Sequence, residues 1–303
     1  MKVFITGGMG FIGSYLVMML VENGHEVTIL ARNPDKVPTF KTTSGINIVT
    51  GALTDFDIIE KHLAGQDACI HNALGWGDSA LDMLKNDTLC SVFIFETAAK
   101  NGIKQLIYTS STAALGDFRP TMDEELKSKP NNYYCATKAA SEEYLLAISH
   151  NYHLRCNIIR PGYTVGNPVV PGASMEIDSR FRDIVTSALA GNDINLMVND
   201  GTQFIWAGDL AKIYKAVLES QINRNIYFGL ARDFVTWEKI AREAIAITGS
   251  KSRIVLQKNE NGDEPCRFDL SKIRREFGFS FENWPKIMEH LQYLAVNLNL
   301  VDS

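Results

Sequence analysis

The chain has 303 residues, is 46% hydrophobic and 21% charged, and carries a net charge of −5 at pH 7; this is enough chain for a large core or two lobes, with the composition of an ordinary soluble globular protein. The negative balance and the lack of a Lys/Arg-rich stretch argue against nucleic acid as a main partner, and no apolar run approaches the length of a membrane span. The first residues enter a strand pattern at once, so no signal peptide is expected and a small molecule remains as the expected partner.

Lys2-Val3-Phe4-Ile5 predicts a short buried strand. Phe11 to Asn23 predicts a helix, with Ile12, Leu16, Met19 and Leu20 on one side and Gly24 as its stop. Thr6-Gly7-Gly8-Met9-Gly10-Phe11-Ile12-Gly13 thus falls in a strand-to-helix turn, the context a phosphate-binding loop needs. Gly7 permits the tight turn, Gly10 lets the backbone approach a pyrophosphate, and Gly13 allows close packing of helix on strand. The amides opening the helix, from Phe11 and Ile12 onward, then face the phosphates. A glycine-rich turn without a ligand is the bland alternative, and the flanking strand and helix weigh against it.

His25 to Leu30 predicts the second strand. It ends in Ala31-Arg32-Asn33, with no carboxylate to hold the adenosine 2′-hydroxyl of NAD. Arg32 either meets the 2′-phosphate of NADP, whose geometry suits a guanidinium, or is a solvated loop cation. We read NADP in preference to NAD.

Further strands are expected at Ile46–Thr50, Ala68–Asn72, Gln105–Ser110 and Cys156–Arg160, with helices between them. Thr54 or Asp55 caps a helix running to Ala64, and Gly65 follows it. Asn72 and Ala73 are expected to line the nicotinamide side through their backbone, while His71 points the other way as a packed core histidine. Trp76, in the loop Leu74–Ser79, either caps the substrate or lies on a plain surface loop. Leu81 to Lys100 and Tyr133 to Asn151 predict long helices. Both are apolar on more than one side, which suggests burial against a second subunit.

Ser111 follows the Gln105–Ser110 strand, and Tyr134 and Lys138 stand one helical turn apart on one face. A nearby ammonium stabilises a phenolate, so Tyr134 can exchange a proton with a substrate oxygen that Ser111 hydrogen-bonds. Lys138 can also reach the nicotinamide ribose. Taken alone, a tyrosine and a lysine four apart are a plain helix pair; the glycine loop and Ser111 change that reading.

Beyond Arg160, Pro161, Gly162, Pro168, Pro171 and Gly172 mark a loop-rich region. Pro161 and Gly162 are expected to bound the nicotinamide pocket, with Tyr163 and Thr112 as candidate substrate contacts. A helix is expected from about Ser179 to Gly191. Asp209-Leu210-Ala211 opens another that runs to Ser220, and Asn225–Gly229 reads as a strand returning to the main sheet. From Thr236 the pattern gives two helices, a short strand and a final helix, Trp284 to Leu298. Five widely spaced cysteines form no metal pattern and no disulfide framework, which suits a reducing cytoplasm.

These elements make the protein α/β, a Rossmann-type doubly wound parallel sheet with a small C-terminal substrate-binding lobe. Residues 1–165 plus about 204–229 are assigned to the dinucleotide-binding domain, and about 166–203 plus 230–303 to the lobe.

The chain resembles the extended short-chain dehydrogenase/reductase family, which includes sugar-nucleotide epimerases, dehydratases and dihydroflavonol-type reductases. The resemblance rests on the Thr6–Gly13 loop, Ser110-Ser111-Thr112-Ala113, Tyr134–Lys138 and Arg160-Pro161-Gly162, and extends to Asp209-Leu210-Ala211 and Asp269-Leu270-Ser271-Lys272. It implies a nicotinamide dinucleotide, the catalytic trio Ser111, Tyr134 and Lys138, and dimers built on the two long helices. Departures from the family pattern bear on substrate. NAD-binding members usually carry an acid where Ala31 stands and often an Asp near the adenine where Ala52 stands; Leu53, beside it, is assigned to the cofactor site. Ala113-Ala114 replaces the Asp-Glu pair of dehydratases. Tyr163 stands where epimerases commonly have an Asn that binds the diphosphate. Thr202, Gln203 and Phe204 occupy the region where they often place an Arg.

The expectation is therefore an NAD(P)-dependent oxidoreductase, NADP-preferring, that moves hydride to or from a carbonyl or alcohol carbon with Tyr134 as acid/base and no metal. A nucleotide-sugar epimerase with retained NAD is the alternative. A non-catalytic NADPH-sensing regulator is the third, against which the intact trio argues.

Overall fold

The computed structural model describes residues 1–175, 178–258 and 264–299. In chain order its main elements are β1 (Lys2–Thr6), α1 (Phe11–Glu22), β2 (Glu26–Ala31), β3 (Ile46–Thr50), α2 (Phe56–Leu63), β4 (Ala68–His71), α3 (Leu89–Lys100), β5 (Gln105–Thr109), α4 (Tyr133–Tyr152), β6 (Arg155–Pro161), α5 (Arg180–Leu189), α6 (Ala207–Glu219), β7 (Asn225–Gly229), α7 (Trp237–Thr248) and α8 (Trp284–Asn299). The seven strands form one parallel sheet in the order β7-β6-β5-β4-β1-β2-β3. The chain starts at β1 and winds outward in both directions, so strand order reverses between β1 and β4. In such sheets, ligands bind in the crevice at the carboxyl ends of those two strands.

Helices cover both faces, and the strands are correspondingly apolar almost throughout. Alternate residues serve the two faces. Val3, Ile5, Ile29, Ile70, Ile107 and Ile159 join Leu16, Leu20, Leu210, Tyr214 and Val217 from α1 and α6. Phe4, Leu30, Cys69, Leu106, Tyr108 and Ile158 join Ile59, Ile94, Phe95 and Leu145 from α2, α3 and α4. A third core lies away from the sheet, where Phe181, Ile184, Ile194 and Phe204 pack with Trp237, Ile240, Ile287 and Leu291. Two stretches separated by β7 build it, and a parallel strand pair, Ile194–Met197 with Ile254–Gln257, joins them. The lobe expected from sequence over about 166–203 and 230–303 extends over residues 176–177, 259–263 and 300–303, which lie outside the described residues.

The expected strands and long helices are present, with ends moved by one to a few residues. The sequence pattern gave no sign of the short helix Thr39–Thr42 or of the two-residue strand pairs Thr164–Val165 with Ile205–Trp206 and Thr121–Met122 with Arg267–Phe268. Pairs that short carry no hydrophobic period. The segment expected as one regular helix from Leu81 is instead an α-turn at Ala80–Met83, a π-helical turn at Leu84–Thr88, and then α3. One ion pair is buried between sheet and helix: Arg160 Nε and Nη2 donate to both carboxylate oxygens of Glu142 at 2.9 and 2.7 Å. The two-pronged geometry satisfies the guanidinium and carboxylate together, as burial of both charges requires. No helix of the described residues is long and apolar enough to cross a membrane.

Candidate active site

The glycine turn joins β1 to α1 at the reversal of strand order. Gly7 has φ +72°, and a Cβ there would lie 2.7 Å from the Ala73 amide nitrogen. A Cβ at Gly13 would run into the Gly7 carbonyl oxygen. The loop can therefore fold back against the start of α1 only without side chains at these two positions. Gly10 is the N-cap and offers no side-chain cap to the first turn, so the helix presents uncapped amides at Phe11 and Ile12. Phe11 is itself buried, edge-on to Tyr15 with ring centroids 6.0 Å apart. Ile12 is half-buried.

Across the crevice, the Thr6 hydroxyl accepts from the amides of Asn72 and Ala73 at 3.2 and 3.1 Å. Both residues are held against Gly7, and Asn72 Oδ1 is buried with no hydrogen-bond partner among the described residues. A cradle that a Cβ would fill, uncapped helix amides and an orphaned acceptor fit a dinucleotide. Arg32 extends from the end of β2 into solvent and makes no ion pair among the described residues. The nearest acid in that loop, Asp35, pairs with Lys41. Ala31 is buried at the strand end, and Leu53 is half-buried against the α2/α3 core. His71 is a core residue, as expected: its ring nitrogens hydrogen-bond the hydroxyls of Thr6 (2.6 Å) and Ser91 (2.9 Å), and burial lowers its pKa to about 3.

Ser111 ends the β5 turn and caps the short helix Thr112–Leu115, its Oγ accepting from the Ala113 amide at 3.1 Å. The Tyr134 phenol faces this side chain. Asn132 caps α4 by accepting from the Cys135 amide at 2.9 Å, and this presents Tyr134 on the first turn. Lys138, one turn on, is 3% exposed; its Nζ donates to the Thr109 carbonyl at 3.2 Å and lies 6.0 Å from the Tyr134 ring centroid. The structure thus brings Ser111, Tyr134 and Lys138 together. Their charge balance differs from the sequence expectation. Burial raises the Tyr134 pKa, partly countered by the polar Ser111 side chain, and burial lowers that of Lys138. Desolvation opposes each charged form; for Lys138 it outweighs the nearby carboxylates, and for Tyr134 the Asp87 charge adds to it. Without cofactor, Tyr134 therefore keeps its proton at neutral pH.

Trp76 stands at the mouth, 62% exposed, with its ring 6.5 Å from that of Tyr134. Its loop is tied down where Asn86 Nδ2 donates to the Trp76 carbonyl at 2.8 Å. Thr112 is buried. Pro161 ends β6, and Gly162 donates its amide to the Gly229 carbonyl at 3.1 Å. Tyr163 belongs to an aromatic cluster with Phe181, Phe204 and Trp237, and its hydroxyl bonds Asp178. It sits with the lobe core and not with the trio. One residue of the site escaped the sequence reading. Asp87 is fully buried beside Lys138. Its signal was a carboxylate on the same helix face as Met83 and Ile94.

A sequence model of the NAD dependent epimerase/dehydratase family matches residues 3–228. UDP-glucose 4-epimerase of Corynebacterium glutamicum is 23% identical over 309 residues, covering 93% of this chain and 92% of that protein. The 3 beta-hydroxysteroid dehydrogenase/Delta 5-->4-isomerase of Mycobacterium tuberculosis is 27% identical over 204 residues, 63% of this chain and 52% of that protein. Among solved structures, UDP-glucuronic acid 4-epimerase from Bacillus cereus in complex with NAD has the same fold, with a TM-score of 0.85 at 18% identity over 98% of this chain and 99% of that one. With the family match running from β1 through β7, the chain belongs to the NAD dependent epimerase/dehydratase family of NAD(P)-dependent enzymes.

Proposed function

We propose that the protein is an NADP-preferring oxidoreductase that reduces a carbonyl compound, exchanging its cofactor at each turnover. The observation that carries this reading is the grouping of Ser111, at the end of β5, with Tyr134 and the buried Lys138, whose Nζ lies 6.0 Å from the Tyr134 ring centroid. A nicotinamide held in the crevice would supply the hydride for the carbonyl carbon. Ser111 and Tyr134 together bracket the carbonyl oxygen, and Tyr134 gives it a proton as negative charge develops. Lys138 anchors the ribose and restores charge balance after the proton leaves. Trp76 offers an apolar face over the reacting carbon, which suits an uncharged, largely apolar substrate. Three arginines of the lobe are already engaged: Arg180 pairs with Asp200 and lies over the Trp237 ring, Arg232 pairs with Glu282, and Arg267 lies over the Phe234 ring. The match to a hydroxysteroid dehydrogenase supports the same substrate class.

Nucleotide-sugar epimerisation on a retained NAD is the second reading, favoured by the names of the relatives covering most of the chain. Denaturing freshly purified protein and identifying any released nucleotide by mass spectrometry separates the two. Near-stoichiometric NAD(H) supports epimerisation and overturns the role of Arg32. An empty protein that binds NADPH more tightly than NADH supports the reductase. In that case Arg32→Ala should lower the ratio of NADPH to NADH affinity by about tenfold or more, the scale of one charge-assisted contact to phosphate. Fluorescence titration of both reduced cofactors checks it.

The assignment of residues 1–165 and about 204–229 to the cofactor, with the remainder to the substrate lobe, belongs to this proposal. So does a cytoplasmic homodimer built on α3 and α4, on whose side Leu81, Leu84, Leu89 and Tyr144 are exposed.

A further inference from the structure

Residues 166–173 run from the lobe to the cofactor half of the molecule. The segment leaves the strand pair Thr164–Val165 with Ile205–Trp206, and Val165 belongs to the lobe core. A hydrogen bond of 2.9 Å joins Asn167 Oδ1 to His290 Nδ1 of α8, so the lobe holds this end. The segment then lies on the start of α1. Tyr15 donates its hydroxyl to the Asn167 carbonyl at 2.6 Å, and Val169 packs with the rings of Phe11 and Tyr15. A Cβ at Gly166 would lie 3.3 Å from Phe11 Cε2, so the backbone itself rests on that ring.

The far end of the segment reaches the loop that follows β2. Gly172 has φ +84°, and a Cβ there would lie 2.9 Å from the Lys36 carbonyl oxygen and 3.3 Å from Pro38 Cδ. Val170 packs against the core that contains Val37 and Phe40. This loop begins with Arg32, at the carboxyl end of β2. Among the described residues, the hydrogen bonds of 33–38 are local: Asn33 Oδ1 accepts from the Asp35 amide at 3.0 Å, Asp35 pairs with Lys41, and the remaining bonds stay within 33–41. Val37 and Phe40 anchor the far end of the loop in the core, and the Gly172 backbone lies against its middle, at Lys36. A surface loop with only local hydrogen bonds takes its position from what packs on it.

We propose that residues 166–173 are a strap through which the lobe seats the adenosine end of the cofactor site. Anchored on His290 and Tyr15, the strap holds the Arg32 loop and the first turn of α1 in one arrangement, so dinucleotide affinity is set by the lobe as well as by the glycine turn. Strap residues are positioning residues: they act through the loop and through Phe11. The inference rests on the crevice holding a nicotinamide dinucleotide, and not on which one. By linkage, a bound dinucleotide steadies the strap in turn.

Gly172→Ala places a methyl group between strap and loop. Gly191→Ala is the control: it lies just past α5 in the same lobe, with the same left-handed backbone at φ +71°, but a Cβ there meets nothing within 4 Å. NADPH and NADH are titrated calorimetrically into both variants and the native protein, each stripped of any bound nucleotide. Gly172→Ala should weaken whichever dinucleotide the native protein binds more tightly by about tenfold, the scale of one misplaced charge-assisted contact. Gly191→Ala should leave that affinity unchanged. A segment that only closes the lobe would lower the melting temperature and leave binding in place, so unchanged affinity in folded Gly172→Ala overturns the proposal. If Gly172→Ala folds poorly, hydrogen exchange of the native protein decides. Saturating dinucleotide should slow the amides of residues 166–173 together with those of the glycine turn, and slowing at the turn alone is equally fatal. The native preference between NADPH and NADH tests the role of Arg32 separately, so the two readings fail by different results.

Discussion

Tyr134→Phe is expected to lower turnover by about 10³-fold while leaving NADPH affinity within about twofold of the native protein, and NADPH oxidation together with fluorescence titration reads both. The substitution deletes one oxygen from a half-buried ring and leaves the ring packed against Trp76. The cofactor cradle at Gly7, Gly13 and Asn72 is on the other side of the crevice and is not altered. General acid catalysis contributes roughly 10² to 10⁴ in rate, and here the acid is also one of two groups holding the reacting oxygen. The loss should therefore fall on kcat more than on KM. A variant with full activity would show that the proton comes from elsewhere and would remove the basis of the proposed mechanism.

Gly13→Ala should weaken binding of either nicotinamide dinucleotide by at least about 100-fold, or about 2.7 kcal/mol. The added Cβ has nowhere to go. It meets the Gly7 carbonyl and the Gly8 Cα, which are backbone atoms and cannot swing aside as a side chain would. Relief requires the start of α1 to move away from the loop, and that carries the Phe11 and Ile12 amides off the phosphates. Gly24→Ala is the control. It also lies near a helix end, at φ +80°, but a Cβ there meets nothing within 4 Å. It should cost about 1 kcal/mol of stability through its backbone conformation and leave binding unchanged. Calorimetric titration and thermal melting of the two variants separate a specific clash from general loosening.

Much of this was legible from the sequence because the determinants are local. A glycine turn between a strand and a helix, two residues four apart on a helix, and strands apolar on both faces each leave a short-range signature. The structure reproduced those elements to within a few residues. What could not be read depends on distant contacts. Asp87 shares a helix face with Met83 and Ile94, but its complete burial comes from packing against α4 that residue spacing does not show. The direction of the Tyr134 shift follows from how much water the folded chain excludes, which residue spacing does not encode. Tyr163 was adjacent to Gly162 in sequence, yet the aromatic cluster with Phe181, Phe204 and Trp237 takes it into the lobe.

The lobe core has a consequence for how the chain folds as it is made. Phe181 and Phe204 pack on each other and on Tyr163, but the rest of their core, Trp237 in α7 and Ile287 and Leu291 in α8, lies across β7. Strand Ile194–Met197 likewise waits for Ile254–Gln257. During synthesis, the parallel sheet can therefore close around β1 to β7 while this half of the lobe is still without its other half. Long-range pairings of this kind form slowly and leave apolar surface transiently open. Docking of α8 is then a late step, and the lobe core matures after the sheet.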